Sequence, residues 1–188
     1  MTTPTLANQM TLLRMLLIPA FVILVLYEHF GWALTVFVAA GVTDGLDGLI
    51  ARLSGQKTDL GAWLDPMADK LLLVTTFIVL TLPGLGLSNR LPLWLTILII
   101  SRDIVIVLTV MIVNLAIGPR TFRPSIFGKI ATVTYILTAA FAMLFNYLRR
   151  HSPIVDFLVY ASLVITLVSG LHYIVHAARA VDESGRSI

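Results

Sequence analysis

Four aspartates, Asp44, Asp47, Asp65 and Asp69, fall in two pairs spaced i, i+3 and i, i+4, so each pair shares one face of a helix. Gly48, Ala51 and Arg52 continue the first face, and Gly61 opens the second. The link between them, SGQKTDL, is short and polar, so the second helix returns antiparallel beside the first. Asp59 lies in that link, off both faces. The two faces can meet only if about four negative charges are cancelled between them. Carboxylates in that number make a hard-oxygen donor set suited to Mg2+ or Mn2+ and not to zinc, which prefers nitrogen and sulfur. About two divalent ions would bring such a site near neutrality. The small residues Gly48, Ala51 and Gly61 let a helix or a ligand approach the backbone closely.

The elements that carry this cluster are apolar. Of 188 residues, 58% are hydrophobic and 12% charged, and the mean hydropathy is +0.95, a composition for a membrane protein rather than a soluble domain. Five of the ten acidic residues nonetheless lie within residues 43–70. Carboxylates near a bilayer cost several kcal/mol each unless paired, hydrated or metal-bound, so they mark function. Six apolar runs, near 10–27, 33–53, 62–82, 92–115, 128–148 and 154–176, are long enough to cross a hydrocarbon core of about 30 Å. They lack the period-two alternation of a membrane barrel. The fold class is all-α: a polytopic membrane protein, a six-helix bundle forming one domain over residues 1–188.

An even number of spans puts both termini on one side. Arg52, Lys57, Lys70, Arg120, Arg123, Lys129, Arg179 and Arg186 fall on the terminus side, against Arg90, Arg149 and Arg150 opposite. The positive-inside rule therefore places the termini and the aspartates in the cytoplasm. No cleavage pattern follows the first run, which is expected to be retained. The absence of cysteine excludes disulfides, thiolate metal sites and cysteine nucleophiles. The net charge of +3 reflects juxtamembrane cations that favour anionic lipid, and no nucleic-acid partner is expected.

Other polar residues stand out against the apolar runs. Arg14 either snorkels from the first helix or points into a polar cavity with Asn8 and Thr11. Arg102, beside Asp103, lies deep in the fourth run, where an arginine is either functional or half of a structural pair. The basic loop GPRTFRPSIFGK supplies Arg120, Arg123 and Lys129, which could bind a phosphate-bearing substrate or lipid headgroups.

The aspartates and their companions spell D-x2-D-G-x2-A-R-x8-G-x3-D-x3-D. This resembles the signature of the CDP-alcohol phosphatidyltransferases at all eight fixed positions. The opening LANQMTLLRMLLIPAFV and the Gly-Lys that begins the fifth run are also similar to members of that family. The resemblance implies six spans and transfer of a phosphatidyl group from CDP-diacylglycerol to an alcohol, releasing CMP. It further implies that Asp44, Asp47, Asp65 and Asp69 hold two divalent ions, Mg2+ or Mn2+, and that Asp69 is the general base on the acceptor hydroxyl. Gly48, Ala51, Arg52 and Gly61 would receive the CDP-diacylglycerol. A homodimer in the bacterial cytoplasmic membrane is the family's usual form.

For the acceptor, Arg102, Arg120, Arg123 and Lys129 suit the phosphate of glycerol 3-phosphate, which would give phosphatidylglycerophosphate. Two features point instead to phosphatidylglycerol, the acceptor of the cardiolipin synthases in the same family. Ala131 stands where glycerophosphate-using relatives carry a second lysine, and Ser101-Arg102-Asp103 resembles the cardiolipin synthases. A small cation transporter is the alternative from another class. Against it stand the clustering of the aspartates toward one membrane face and the absence of an internal repeat.

Overall fold

Each apolar run becomes a helix, the conformation that satisfies backbone hydrogen bonds within a segment. The computed structural model describes residues 6–54, 59–117 and 125–185, with side-chain surroundings for 13–43, 68, 70–113, 115 and 125–175. Six helices result: α1 Leu6–Leu26, α2 Phe30–Ser54, α3 Asp59–Thr81, α4 Leu93–Ile117, α5 Ile126–Tyr147 and α6 Pro153–Gly185. No strand occurs among the described residues. The expected runs and the observed helices coincide to within a few residues at most ends, while α6 continues well past residue 176.

Three stretches, Leu93–Val113, Ile126–Tyr147 and Pro153–Val175, are long and apolar enough to cross a membrane. In α1, α2 and α3 the described apolar stretches are shorter: Leu13–Leu26, Phe30–Thr43 and Lys70–Thr81. The remaining turns of α2 and α3 carry the acidic motif, which interrupts their hydrophobicity. Among the described residues there are therefore six helices, and three of them qualify as spans by length and composition.

The chain divides into two compact units. Unit 1 comprises Met1–Leu91 and Ala139–Ser152; unit 2 comprises Pro92–Thr138 and Pro153–Ile188. In unit 1, α1 packs against both α2 and α3. Phe21 and Val25 of α1 and Ala33, Phe37 and Ala40 of α2 are buried, and the Phe21 and Phe37 rings lie 6.1 Å apart. On α3, Ala68, Leu72, Thr76 and Leu80 form one buried face at four-residue intervals. Outward positions are apolar instead: Leu16, Ile23, Val38, Val42 and Leu71 are exposed, as lipid-facing side chains are.

Two loops of unit 1 are fastened by buried amides. Asn89, before α4, donates its backbone N–H to Asn146 Oδ1 at 2.7 Å and its Nδ2 to the Arg150 carbonyl at 2.7 Å. Asn89 Oδ1 accepts from the Ser152 N–H at 2.9 Å. The α1–α2 corner is tied to the α3–α4 loop as well, since Glu28 Oε1 accepts from the Gly86 N–H at 3.2 Å.

In unit 2, α4 packs against α6. The inner face of α6 is a ladder of hydroxyls, Ser162, Thr166 and Ser169, each at most 1% exposed. Tyr135 of α5 bonds Thr166 at 2.6 Å, and Thr138 bonds Ser162 at 2.9 Å. Hydroxyls that also return a bond to their own helix, as Thr166 does to the Ser162 carbonyl, are inexpensive to bury and hold helices together in lipid. At the start of α5, Ser125 caps the helix by accepting the Gly128 N–H at 3.0 Å.

Candidate active site

The motif residues lie on helical backbone, as their spacing predicts. Asp44, Asp47, Gly48, Ala51 and Arg52 occupy the last three turns of α2, which runs unbroken to Ser54. Gly61, Asp65 and Asp69 occupy the first three turns of α3, which starts at Asp59. Helical backbone at these positions puts Asp44 with Asp47, and Asp65 with Asp69, on common faces. The side chains of all eight lie outside the described residues, as do Arg120 and Arg123. No cluster of three metal-ligating side chains occurs among the described residues. The donor set itself, four carboxylates on two consecutive helices, has the chemistry of a hard divalent cation site.

Arg14 resolves between its two readings. It is 1% exposed, the largest fully buried side chain of the described residues, so it does not snorkel. A guanidinium so placed must be compensated within the protein. Its helix, α1, is the one that packs on both motif helices, and it brings a positive charge into the interior of the unit that carries the aspartates.

In unit 2, Arg102 is held from two sides. Its Nη1 donates to Asp103 Oδ1 at 2.7 Å and its Nη2 to Ser169 Oγ at 2.6 Å, with the two charged side chains 12% and 21% exposed. The Arg–Asp pair is thus real, and a hydroxyl from α6 shares in positioning it. Gly128 completes the cradle: a Cβ there would stand 3.3 Å from Arg102 Nη2 and 3.3 Å from Ser125 Oγ. Of the five N–H groups of the guanidinium, the buried Nε–H has no partner among the described residues. The orientation of Arg102 is thereby fixed, with one buried donor left unspent. Lys129, one residue beyond Gly128, is exposed on the first turn of α5.

Sequence reasoning missed Ser169. Its signal was available: three hydroxyl residues spaced i, i+4, i+7 along an otherwise apolar helix predict a polar inner face. Ala131, noted for the lysine it replaces, is fully buried at 0% exposure on the inner face of α5.

The sequence model of a family described as CDP-alcohol phosphatidyltransferase matches residues 4–175. A protein of Mycobacterium tuberculosis named a probable phosphatidylglycerophosphate synthase is 32% identical over 185 residues, covering 94% of this chain and 83% of that protein. A rat cardiolipin synthase (CMP-forming) is 36% identical over 162 residues, covering 76% of this chain and 52% of that protein. Its counterpart in Streptomyces coelicolor is 36% identical over 146 residues, covering 74% and 64%.

Proposed function

The chain belongs to the CDP-alcohol phosphatidyltransferase family, and on that premise we propose that it moves the phosphatidyl group of CDP-diacylglycerol to glycerol 3-phosphate at the cytoplasmic face of a bacterial cytoplasmic membrane. It is a transferase of phospholipid biosynthesis, acting on a CDP-alcohol in a lipid environment, and its family generally uses divalent metals. One observation carries the assignment: all eight positions of the signature are present on the ends of two consecutive helices, α2 and α3.

Asp44, Asp47, Asp65 and Asp69 would hold two divalent ions, Mg2+ or Mn2+. When bound, these supply positive charge that neutralises the diphosphate and the departing CMP phosphate. Gly48, Ala51 and Gly61 leave room for the cytidine diphosphate against the helix backbone, and Arg52 contacts its phosphates. Asp69 accepts the proton of the acceptor hydroxyl. The hydroxyl oxygen then attacks the β-phosphorus, and the bond from that phosphorus to the CMP oxygen breaks in line. The diacyl chains stay in the bilayer throughout, which accounts for a charged site at the end of apolar helices. Arg14 adds a buried positive charge to the same unit.

Arg102, Arg120, Arg123 and Lys129 are assigned to the phosphate of the acceptor. The fixed, incompletely bonded guanidinium of Arg102 supports this reading. So does the relative named a phosphatidylglycerophosphate synthase, which aligns over 94% of the chain. Residues 1–188 act as one catalytic domain, a reading supported by the family match over residues 4–175, which runs through both units; pairing as a homodimer rests on the family resemblance alone.

A second reading, with phosphatidylglycerol as acceptor, is favoured by Ala131. A buried alanine on the inner face of α5 removes a cation that a small anionic acceptor would use. The test is CMP release by the purified chain from CDP-diacylglycerol with Mg2+ or Mn2+, acceptors supplied singly. Release with glycerol 3-phosphate alone supports the proposal; release with phosphatidylglycerol alone selects the second reading. Failure with every acceptor, in folded protein, rejects both.

A further inference from the structure

Unit 1 contains a second polar site, at the end of its helices remote from the aspartates. A cavity of about 670 Å³ is lined by the α1–α2 corner, the first turns of α2 and the C-terminal end of α5. That volume is within the usual range for small-molecule sites, about 300–1,000 Å³. Phe30, at the cavity, and Asp44 are separated by fourteen residues of one helix, a rise of about 21 Å. The cavity is therefore distinct from the motif.

Its ionisable lining is Glu28, His29 and Arg149, while the Thr35 hydroxyl in the same wall is spent on the Gly31 carbonyl at 3.0 Å. Glu28, His29 and Arg149 are all exposed, and among the described residues the His29 ring and the Arg149 guanidinium have no protein hydrogen-bond or ion-pair partner, so both are open to a ligand in the cavity. Glu28 is oriented by the Gly86 N–H, which uses one lone pair of one carboxylate oxygen and leaves the rest of its acceptor capacity unspent.

The backbone that presents these side chains is costly. Helix α1 ends with the Glu28 N–H on the Val25 carbonyl and the His29 N–H on the Leu24 carbonyl. Helix α5 ends the same way, with Arg149 on Asn146 and Arg150 on Phe145. Both are Schellman ends, and the residue at the left-handed position is usually glycine. Here it is Glu28, φ 58°, and Arg149, φ 51°. Two charged residues thus occupy strained positions on the wall of one cavity. The Asn89–Asn146 and Glu28–Gly86 bonds hold both corners in place.

Most of the remaining wall is apolar, and part of it is exposed. Trp32 is 69% exposed and Tyr147 58%, the placement of aromatic residues at a membrane–water boundary. Gly31 allows Tyr147 to lie close, since a Cβ there would stand 2.8 Å from its ring. A free phosphate would have no use for these surfaces; an amphiphile would use both.

We propose that this cavity binds the headgroup of a glycerophospholipid from the leaflet opposite the catalytic face, with Arg149 and His29 on its phosphate and Glu28 on a headgroup hydroxyl or ammonium. The proposal is independent of the acceptor assignment.

The test titrates the full-length chain in detergent with short-chain phosphatidylglycerol and phosphatidylethanolamine, and separately with inorganic phosphate, counting bound molecules by native mass spectrometry. Arg149→Gly is the informative variant, because glycine relaxes φ 51° and leaves folding intact. It should weaken lipid binding by about tenfold or more, while its melting temperature in lipid-free detergent stays equal to or above that of the wild type. Arg149→Lys should retain binding to within about threefold, as a cation in the same place. Lipid at the catalytic site contributes equally to all variants and cancels in the comparison. Unchanged lipid affinity in Arg149→Gly overturns the proposal. So does inorganic phosphate binding at Arg149 as tightly as lipid, which would mark a free-anion site.

Discussion

Asn89 and Asn146 grip each other's neighbourhoods reciprocally: the Asn89 N–H donates to Asn146 Oδ1 at 2.7 Å, and Asn146 Nδ2 donates back to the Asn89 carbonyl at 3.4 Å. Both residues are buried, at 3% and 0% exposure. Asn146→Ala strands the Asn89 N–H without water, a loss of about 1–3 kcal/mol. Thermal unfolding in detergent reads it, and an unchanged midpoint would show that the pair is dispensable.

Removing a motif carboxylate should abolish transfer without unfolding the chain. Asp44→Ala and Asp65→Ala are each expected to slow CMP release by about 100-fold or more, with helical circular dichroism retained. Turnover at the wild-type rate in either variant would end the transferase assignment of the motif.

Asp69→Asn separates base from ligand. The amide keeps the size of the side chain but cannot take a proton, so turnover should fall by about 100- to 10,000-fold while CDP-diacylglycerol binding stays within a few-fold. If binding collapses in parallel, Asp69 serves mainly as a metal ligand.

Chelation should stop the reaction and readdition of Mg2+ or Mn2+ should restore it, since four carboxylates without cations repel one another and the diphosphate. Activity that survives exhaustive chelation would contradict a metal-dependent mechanism.

Ser169→Ala removes one of the two bonds that fix Arg102. A hydrogen bond to a charged group is worth about 1.5–3 kcal/mol, so the acceptor KM should rise about tenfold or more, with the KM for CDP-diacylglycerol unmoved. Gly128→Ala should act in the same direction by displacing the guanidinium from 3.3 Å contact. If neither variant moves the acceptor KM, Arg102 has a structural role only.

The helices were legible because lipid imposes one solution on an apolar run, and the observed ends track the hydropathy to within a few residues except at the C-terminal end of α6. The motif was legible because both carboxylate pairs are local, set by the helical period alone. Arg102 could be singled out but not interpreted. Its partner Ser169 is 67 residues away, and no local rule specifies which helix supplies it. The same holds for Asn89 with Asn146 and for the cavity at Arg149, built from corners far apart in the chain. Left-handed backbone at Glu28 and Arg149 was invisible for another reason: sequence rules expect glycine there. Arg14 shows the remaining gap, since burial and snorkelling share one sequence signature and only packing tells them apart.

Unit 1 is discontinuous, with Met1–Leu91 closed by Ala139–Ser152. For a chain made from its N-terminus, this sets an order of birth. Helices α1 to α3, with all four motif aspartates, leave the ribosome before the Asn146 clasp on Asn89 exists. About 65 residues of synthesis separate the end of α3 at Thr81 from Asn146, roughly 3 to 13 s at about 5–20 residues per second. During that interval the acidic ends of α2 and α3 rely on their packing against α1, and the membrane insertion machinery meets them unclasped.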